Sequence, residues 1–282
     1  MNVTISGMKR ISFKATIASG QAGSISEFLT AQTGLSRTKV KDAMNKGAVW
    51  LKRRNGKMKR LRRVSTALNP GDQVELYYDE KTLVIEPPKA VCLSDQKHYS
   101  VWSKPAGMLS QGTQYGDHCS LMRRAELYFG SSREVFLVHR LDREASGLLL
   151  LAHSKVAAAK LSEIFKNNLI SKTYLVEVLG DLGEKGLQGV IDLALDGRTS
   201  HTEYKVRSYL PATNTSIIEV VIKTGRLHQI RRHFDMLGFP VIGDPKYGTG
   251  NKNTSGMKLS AVSLSFHCPF FDREVEYILP RS

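Results

Sequence analysis

The sequence predicts an α+β protein in two unequal parts: a small module of two short helices and a hairpin, then a larger domain with many strands and few helices. Three observations carry this. Between residues 22 and 80, two capped helical patterns give way to short apolar runs punctuated by Asn-Gly and Pro-Gly turns. Thr82 to Pro88, closing on Pro87-Pro88, is the best linker in the chain. Beyond it, short apolar runs with strand alternation recur as far as Ile278, and helical spacing returns only three times. At 282 residues and 41% hydrophobic content, the chain has enough apolar material for two cores.

In the first part, Ile11-Ser12-Phe13-Lys14-Ala15-Thr16-Ile17 alternates with strand period, so residues 1–21 read as an arm or a first strand. Ser24 or Ser26 caps a helix carrying Phe28 and Leu29, stopped by Gly34. Ser36 caps a second helix carrying Val40, Ala43 and Met44, ended by Gly47. Ala48 to Leu51 is a strand, Arg53 to Lys59 a basic loop turning at Asn55-Gly56, and Asn69-Pro70-Gly71-Asp72 a tight turn before the strand Gln73 to Tyr78. The expected boundaries are a module over 22–80, a linker over 81–92 and a second domain over 93–282.

Formal net charge is +15, and it is concentrated. Arg37 to Arg63 holds twelve Lys or Arg and one acid, Asp42. Lysines present only for solubility would be mixed with acids, whereas an unrelieved basic face suits a polyanion. Arg37 and Lys41 on the second helix, with Arg53, Arg54, Lys57 and Lys59 from the hairpin loop, are candidates to track a phosphate backbone without reading bases. Trp50 suits either a core edge or a base-stacking platform. The three cysteines, Cys92, Cys119 and Cys268, are widely spaced and encode neither a disulfide framework nor a zinc site. No signal-peptide core and no membrane-length apolar run is present, so a reduced cytoplasmic location is expected, with no membrane partner.

In the second part, Tyr99 to Lys104 is a strand stopped by Pro105-Ala106-Gly107, Gln111 to Cys119 a polar loop, and Ser120 the start of a helix through Leu121, Ala125 and Phe129. The apolar runs Val135 to Val138 and Leu148 to Ala152 then bracket His139-Arg140-Leu141-Asp142-Arg143-Glu144-Ala145-Ser146-Gly147. A carboxylate between two guanidinium groups is held ionised, which suits a nucleophile or general base. The same pattern suits an Asp that only ties two arginines together. Ser154 caps a helix containing Ala157, Leu161, Ile164 and Phe165. Lys172-Thr173-Tyr174 opens a strand reaching Val178. Gly180 to Gly189 lacks the spacing of a phosphate cradle and reads as a turn. His201 to Val206 and Ser216 to Lys223 pair antiparallel across the Pro211 to Asn214 turn. In Gly225-Arg226-Leu227-His228-Gln229-Ile230-Arg231-Arg232-His233-Phe234 a helix begins and runs to Gly238, its N-terminus favouring phosphate. The residues alone do not choose among Arg226, Arg231 and Arg232. The turn Gly243 to Gly248 and the strands Val262 to His267 and Arg273 to Ile278 end the chain.

Five of these pieces together resemble the RluA-type RNA pseudouridine synthases: H-R-L-D-R-x-x-S-G from His139, K-P-A-G from Lys104, K-T-Y from Lys172, G-R-L-H-Q-I-R from Gly225 and G-D-P-K-Y-G from Gly243. The likeness runs from about Val91 to the end. The first module, with its G-x-V after the second helix and its P-G-D-x-V near the end, resembles the RNA-binding domain first known from ribosomal small-subunit protein four. These resemblances imply a mixed, mainly antiparallel α+β catalytic domain of pseudouridine synthase type behind a small RNA-binding domain. They also imply isomerisation of uridines in structured RNA, ribosomal RNA ahead of transfer RNA, with no obligate protein partner.

Within that resemblance Asp142 is the nucleophile, attacking C1′ of the ribose or C6 of uracil. Tyr174 stacks on the base and Arg231 pairs with Asp142. Arg140, Lys172, Arg226 and His228 bind substrate, Arg140 occupying the place of the extruded base. The reaction involves neither redox nor hydrolysis, so no cofactor and no metal is expected, in keeping with the lack of an acidic or Cys/His cluster near Asp142. Two residues depart from the family pattern, Ala145 where Thr is usual and Arg232 where a small apolar residue is frequent. The competing class is a non-catalytic RNA-binding or ribosome-assembly protein that keeps the fold. A metal nuclease would need a paired acidic site.

Overall fold

The computed structural model describes residues 9–21, 23–130 and 132–280. The described residues form two compact units, one drawn from 9–87 with 111–124 and one from 88–110 with 125–280.

The first unit runs β1 (Arg10–Thr16), α1 (Ile25–Thr33), α2 (Arg37–Asn45), β2 (Val49–Lys52), β3 (Lys59–Arg60), β4 (Gln73–Asp79) and the single turn α3 (Glu80–Leu83). Of the expected arm or first strand over 1–21, residues 1–8 lie outside the described residues, and β1 pairs antiparallel with β4 in a sheet ordered β1-β4-β2-β3. Ser24 caps α1 in a full capping box with Glu27, and Gly34, left-handed at φ 65°, stops it. Ser36 caps α2. One apolar face of each helix closes on the sheet in a core that includes Ile25, Leu29, Val40, Met44, Val49 and Leu76. The turn α3 stands where the linker was expected.

Residues 111–124 differ most from expectation. They join this first unit and not the larger domain. The basic run explains why: Arg60 and Arg62 both reach the Asp117 carboxylate, at 3.3 and 2.5 Å, and Trp50 Nε1 donates to the Gln114 carbonyl at 3.1 Å. The Arg60 guanidinium also lies over the Trp50 ring, 4.2 Å from its centroid. Trp50 is thereby engaged in packing within the unit.

The second unit contains β5 (Val91–Asp95), β6 (Tyr99–Lys104), the end of α4 (Leu121–Tyr128), β7 (Phe136–Leu137), β8 (Ser146–Ala152), α5 (Lys155–Lys166), β9 (Ile170–Leu179), a 3-10 turn at Leu182–Lys185, β10 (Gln188–Ile191), β11 (Thr202–Leu210), β12 (Thr215–Ile222), α6 (Gln229–Met236), β13 (Leu259–Cys268) and β14 (Arg273–Ile278). They build a ten-stranded sheet ordered β10-β11-β12-β9-β13-β8-β6-β5, with β14 on β13 and β7 on β8. Every strand pairing in it is antiparallel except β8 with β13. This is the mixed, mainly antiparallel α+β sheet that the family resemblance implied.

Two features of this sheet position the site. The fully buried run Leu148 to Ala152 makes β8 a rigid central strand, so the loop before it leaves a fixed point of the core. At its first turn Gly147 has φ 109°, and a Cβ there would strike the backbone of Ala261 on β13. Only glycine allows the two strands to approach there, which gives the Ser-Gly pair a physical reason. On β9, alternate residues Ile170, Lys172, Tyr174, Val176 and Val178 point inward, so Lys172 and Tyr174 share a face.

Candidate active site

A cleft of about 730 Å³ opens in the second unit, lined by Arg140, Asp142, Lys172, Tyr174, Arg226, His228 and Arg231, among others. All seven residues proposed from the sequence for catalysis or substrate binding line this cleft. Asp142 hangs from the loop between β7 and β8. That loop is tied down from beneath: Ser110 Oγ donates to the Leu141 carbonyl at 2.7 Å and accepts from the Leu141 N–H at 3.0 Å. Lys104, fully buried, donates to the carbonyls of Ala145 at 2.6 Å, Met108 at 2.8 Å and Pro105 at 3.0 Å. Burial pulls the Lys104 ammonium down to about 8, while Glu144 and Asp142 work to keep it charged. The sequence reading gave Lys104 no role beyond its motif; here it staples the turn after β6 to the Asp142 loop.

Arg231 enters from the first turn of α6. Its Nη1 donates to Asp142 Oδ2 at 2.9 Å, and its Nε and Nη2 donate in parallel to Asp244 at 2.6 and 2.7 Å. Burial alone would raise the Asp244 carboxyl. Arg231 and the backbone N–H groups of Lys246 and Tyr247 instead hold it below its ordinary value. Burial likewise opposes the Arg231 charge, and the two carboxylates overcome it and raise that group further. Asp244 sits in a turn fixed by Gly243, left-handed at φ 72°, where a Cβ would meet the Gly256 backbone. Asp244 was missed because a single acid inside a turn motif shows nothing in sequence of the arginine it faces.

His228 precedes α6 in a left-handed conformation at φ 53°. Its Nε2 lies 3.8 Å from Asp142 Oδ1, and its Nδ1 lies 3.0 Å from the Tyr247 hydroxyl. Burial lowers its pKa, with Asp142 partly opposing. Arg226 donates from Nε to the Thr199 carbonyl at 2.9 Å, which leaves its remaining guanidinium face to the cleft. His139 has Nε2 accepting the Leu150 N–H at 3.0 Å and its ring stacked on Phe165 at 4.3 Å. Burial pushes it down to about 3, so at neutral pH it is an uncharged acceptor and not an acid.

Tyr174 is buried among strands, opposite Ala261 on β13 and Val220 on β12. Burial and then the Asp142 charge push its phenol up, so it stays protonated. Lys172 is buried as well, and burial lowers its ammonium. Arg140 is exposed at the cleft rim. The two departures lie apart from this chemistry. Ala145 is buried and offers only its carbonyl to Lys104, and Arg232 turns outward to a two-pronged pair with Asp196 at 2.8 and 3.0 Å. Among the described residues no group of three or more His, Cys, Asp or Glu side chains is placed to hold a metal ion.

In the first unit, Lys41, Arg54, Lys57 and Lys59 are exposed, and among the described residues they make no ion pair. Arg37 lies 3.6 Å from Glu27. Arg53 differs from expectation, because its guanidinium is taken by the buried carboxylate of Asp72 and the Ala67 carbonyl. A buried acid needs a partner, and Arg53 is the cation in reach.

Comparison with known proteins identifies the family. Residues 98–236 match a family described as RNA pseudouridylate synthase. The dual-specificity RNA pseudouridine synthase RluA of Vibrio parahaemolyticus is 32% identical over 197 residues, 62% of this chain and 76% of that protein. The ribosomal large subunit pseudouridine synthase C of Rickettsia bellii is 38% identical over 162 residues, a match that spans about half (52%) of each protein. Among solved structures, the human RNA pseudouridylate synthase domain containing 1 superposes with a TM-score of 0.59 at 24% identity, covering 70% of this chain and 86% of that one; this bears on the fold. With these relatives and a cleft built around Asp142, Tyr174 and Arg231, the chain belongs to the RNA pseudouridylate synthase family.

Proposed function

We propose that this protein isomerises selected uridines to pseudouridine in structured RNA, ribosomal RNA ahead of transfer RNA, with Asp142 as nucleophile. The observation that carries the reading is the single carboxylate of Asp142, oriented by Arg231 across from Tyr174 on the wall of one cleft. Isomerisation requires the C1′–N1 bond to break, the uracil to turn within its pocket and a C5–C1′ bond to form before the C5 proton leaves. Asp142 supplies the covalent attachment, at C1′ or C6. Arg231 keeps its attacking oxygen oriented and charged. Tyr174 offers the base a flat apolar face, and Arg140 fills the place of the extruded base. Arg226 and His228 order the rim.

Ribosomal RNA is favoured because several relatives are named for the ribosomal large subunit. The first unit serves as an RNA-binding domain of the type known from ribosomal small-subunit protein four, and Lys41, Arg54, Lys57 and Lys59 lie along the phosphate backbone. Among the described residues no helix is long and apolar enough to cross a membrane, and a cytoplasmic site of action fits the reading. Pseudouridine maps at single-nucleotide resolution, from cells with and without the gene, test it. Loss of one or a few ribosomal sites is expected; identical maps would reject the enzymatic reading and leave a non-catalytic RNA-binding role.

A further inference from the structure

On the reading that Asp142 adds to uridine, we propose that Lys172 is a further catalytic residue, whose ammonium stabilises the negative charge that develops on the uracil ring. Lys172 is only 7% exposed and lines the cleft, and among the described residues its ammonium has no hydrogen-bond or ion-pair partner, although it is not sealed from the cleft. Its stem is buried, and a cation held at a largely desolvated wall without a counter-charge is costly. The fold provides partners freely elsewhere, since the fully buried Lys104 reaches three carbonyls within 3.0 Å. A lysine held unpartnered in the cleft is set up to meet a charge that the substrate brings.

The chemistry supplies that charge on either route. If an Asp142 oxygen bonds to C1′ as the C1′–N1 bond breaks, the bonding pair stays on uracil, which becomes an anion shared by N1, O2 and O4. If that oxygen bonds to C6 instead, the C5–C6 π pair moves to C5 and O4 as an enolate. Each route places one negative charge on the ring and its carbonyl oxygens. Arg231 is committed to Asp142 and Asp244, and burial works against a charge on His228. Lys172 lies two residues before Tyr174 on the same inward face of β9, so a base seated on the Tyr174 ring shares that face of the cleft with the ammonium. Burial lowers the Lys172 pKa, and no carboxylate offsets it.

The test uses full-length protein and unmodified ribosomal and transfer RNA, transcribed with uridine or 5-fluorouridine, under single-turnover conditions with saturating enzyme. Consumption of the target nucleoside is followed by digestion and chromatography. Lys172→Met should slow uridine consumption by about a hundredfold, with RNA affinity within about threefold of the parent. The C5 fluorine withdraws electrons and stabilises the ring anion by itself, so the defect should shrink to under about tenfold on 5-fluorouridine RNA. Lys172→Arg, which keeps the charge, should lie between Met and the parent. If Lys172→Met does not fold, Lys172→Gln replaces it in the same comparison. An equal defect on both RNAs, or a loss confined to affinity, overturns the role. An inactive parent would overturn the enzymatic reading itself, whereas an active parent matched by Lys172→Met overturns only the part given to Lys172.

Discussion

Asp244 holds Arg231 by two parallel hydrogen bonds at 2.6 and 2.7 Å, and this grip leaves Nη1 as the prong that reaches Asp142 at 2.9 Å. The nucleophile is therefore oriented by an arginine that is itself oriented by a fully buried acid. Asp244→Asn keeps the size but removes the charge and one of the paired acceptors. It should destabilise the fold by about 3 kcal/mol, since removing one partner of a buried pair strands the other. The chemical step should fall by about ten- to a hundredfold with RNA affinity unchanged, because a small loss of orientation at the attacking atom is costly. Urea unfolding and single-turnover rates measured together check this. A destabilised variant that reacts at the parental rate would make Asp244 a structural anchor and nothing more.

Asp142→Asn should abolish pseudouridine formation, by about four orders of magnitude or more, because a covalent nucleophile has no substitute in this cleft. Asn preserves a hydrogen-bond acceptor for Arg231, so folding and RNA binding should persist. Tritium release from C5-labelled RNA measures the rate, and residual activity within about tenfold of the parent would remove Asp142 from the mechanism.

How much of this was legible in the sequence depended on the range of the interaction. Caps, turns and strand alternation are local, so α1 with Ser24 and Gly34, α2 with Ser36, α5 with Ser154 and the strand opened by Lys172-Thr173-Tyr174 could be read directly. The choice of Arg231 over Arg226 and Arg232 came from the family likeness, since all three are equally basic in sequence. What separates them is long-range: Arg231 meets Asp142, 89 residues away, Arg232 meets Asp196 and Arg226 meets a carbonyl. The same holds for the segment from Gln111 to Cys119, read as a polar loop with no partner. Asp117 is 55 residues from Arg62, and no periodicity in either segment announces the other.

Stability should fall on acidification through His139. Its folded pKa, about 3, lies below the ordinary 6.5, so below pH 6.5 the unfolded chain takes up a proton that the folded chain refuses. The His139 contribution is therefore complete above about pH 6.5 and is lost progressively as pH falls toward 3. His118, His153 and His233 are also lowered by burial and steepen the decline. His139→Gln offers the Leu150 N–H an acceptor that does not titrate, so its urea midpoint should change less than the parent's between pH 7 and pH 5. Parallel declines in the two proteins would show that His139 is not a source of the acid sensitivity.

The basic charge of the first unit is only partly engaged within the fold. Deleting residues 1–80 is a poor test of RNA binding by the first unit, because it would also strip residues 111–124 of the arginines and Trp50 that hold them. Substitution is cleaner, and the structure decides which side chains to change. Arg53 is excluded because it neutralises buried Asp72, Arg60 and Arg62 because they hold Asp117, and Arg37 because it faces Glu27. That leaves Lys41, Arg54, Lys57 and Lys59, exposed and unpaired among the described residues. Each phosphate contact contributes about 0.7 to 0.9 to the slope of log affinity against log salt, so changing all four to Ala should flatten the slope by about 3. Affinity should weaken strongly at low salt and converge on the parent's at high salt. The position of the modified uridine should not move, because phosphate contacts carry no sequence information. Filter binding across a salt series, with mapping of the modified site, reads both quantities. An unchanged slope would reduce the basic run to a solvated face. A flattened slope with a displaced modification site would mean that the first unit chooses the uridine as well as holding the strand.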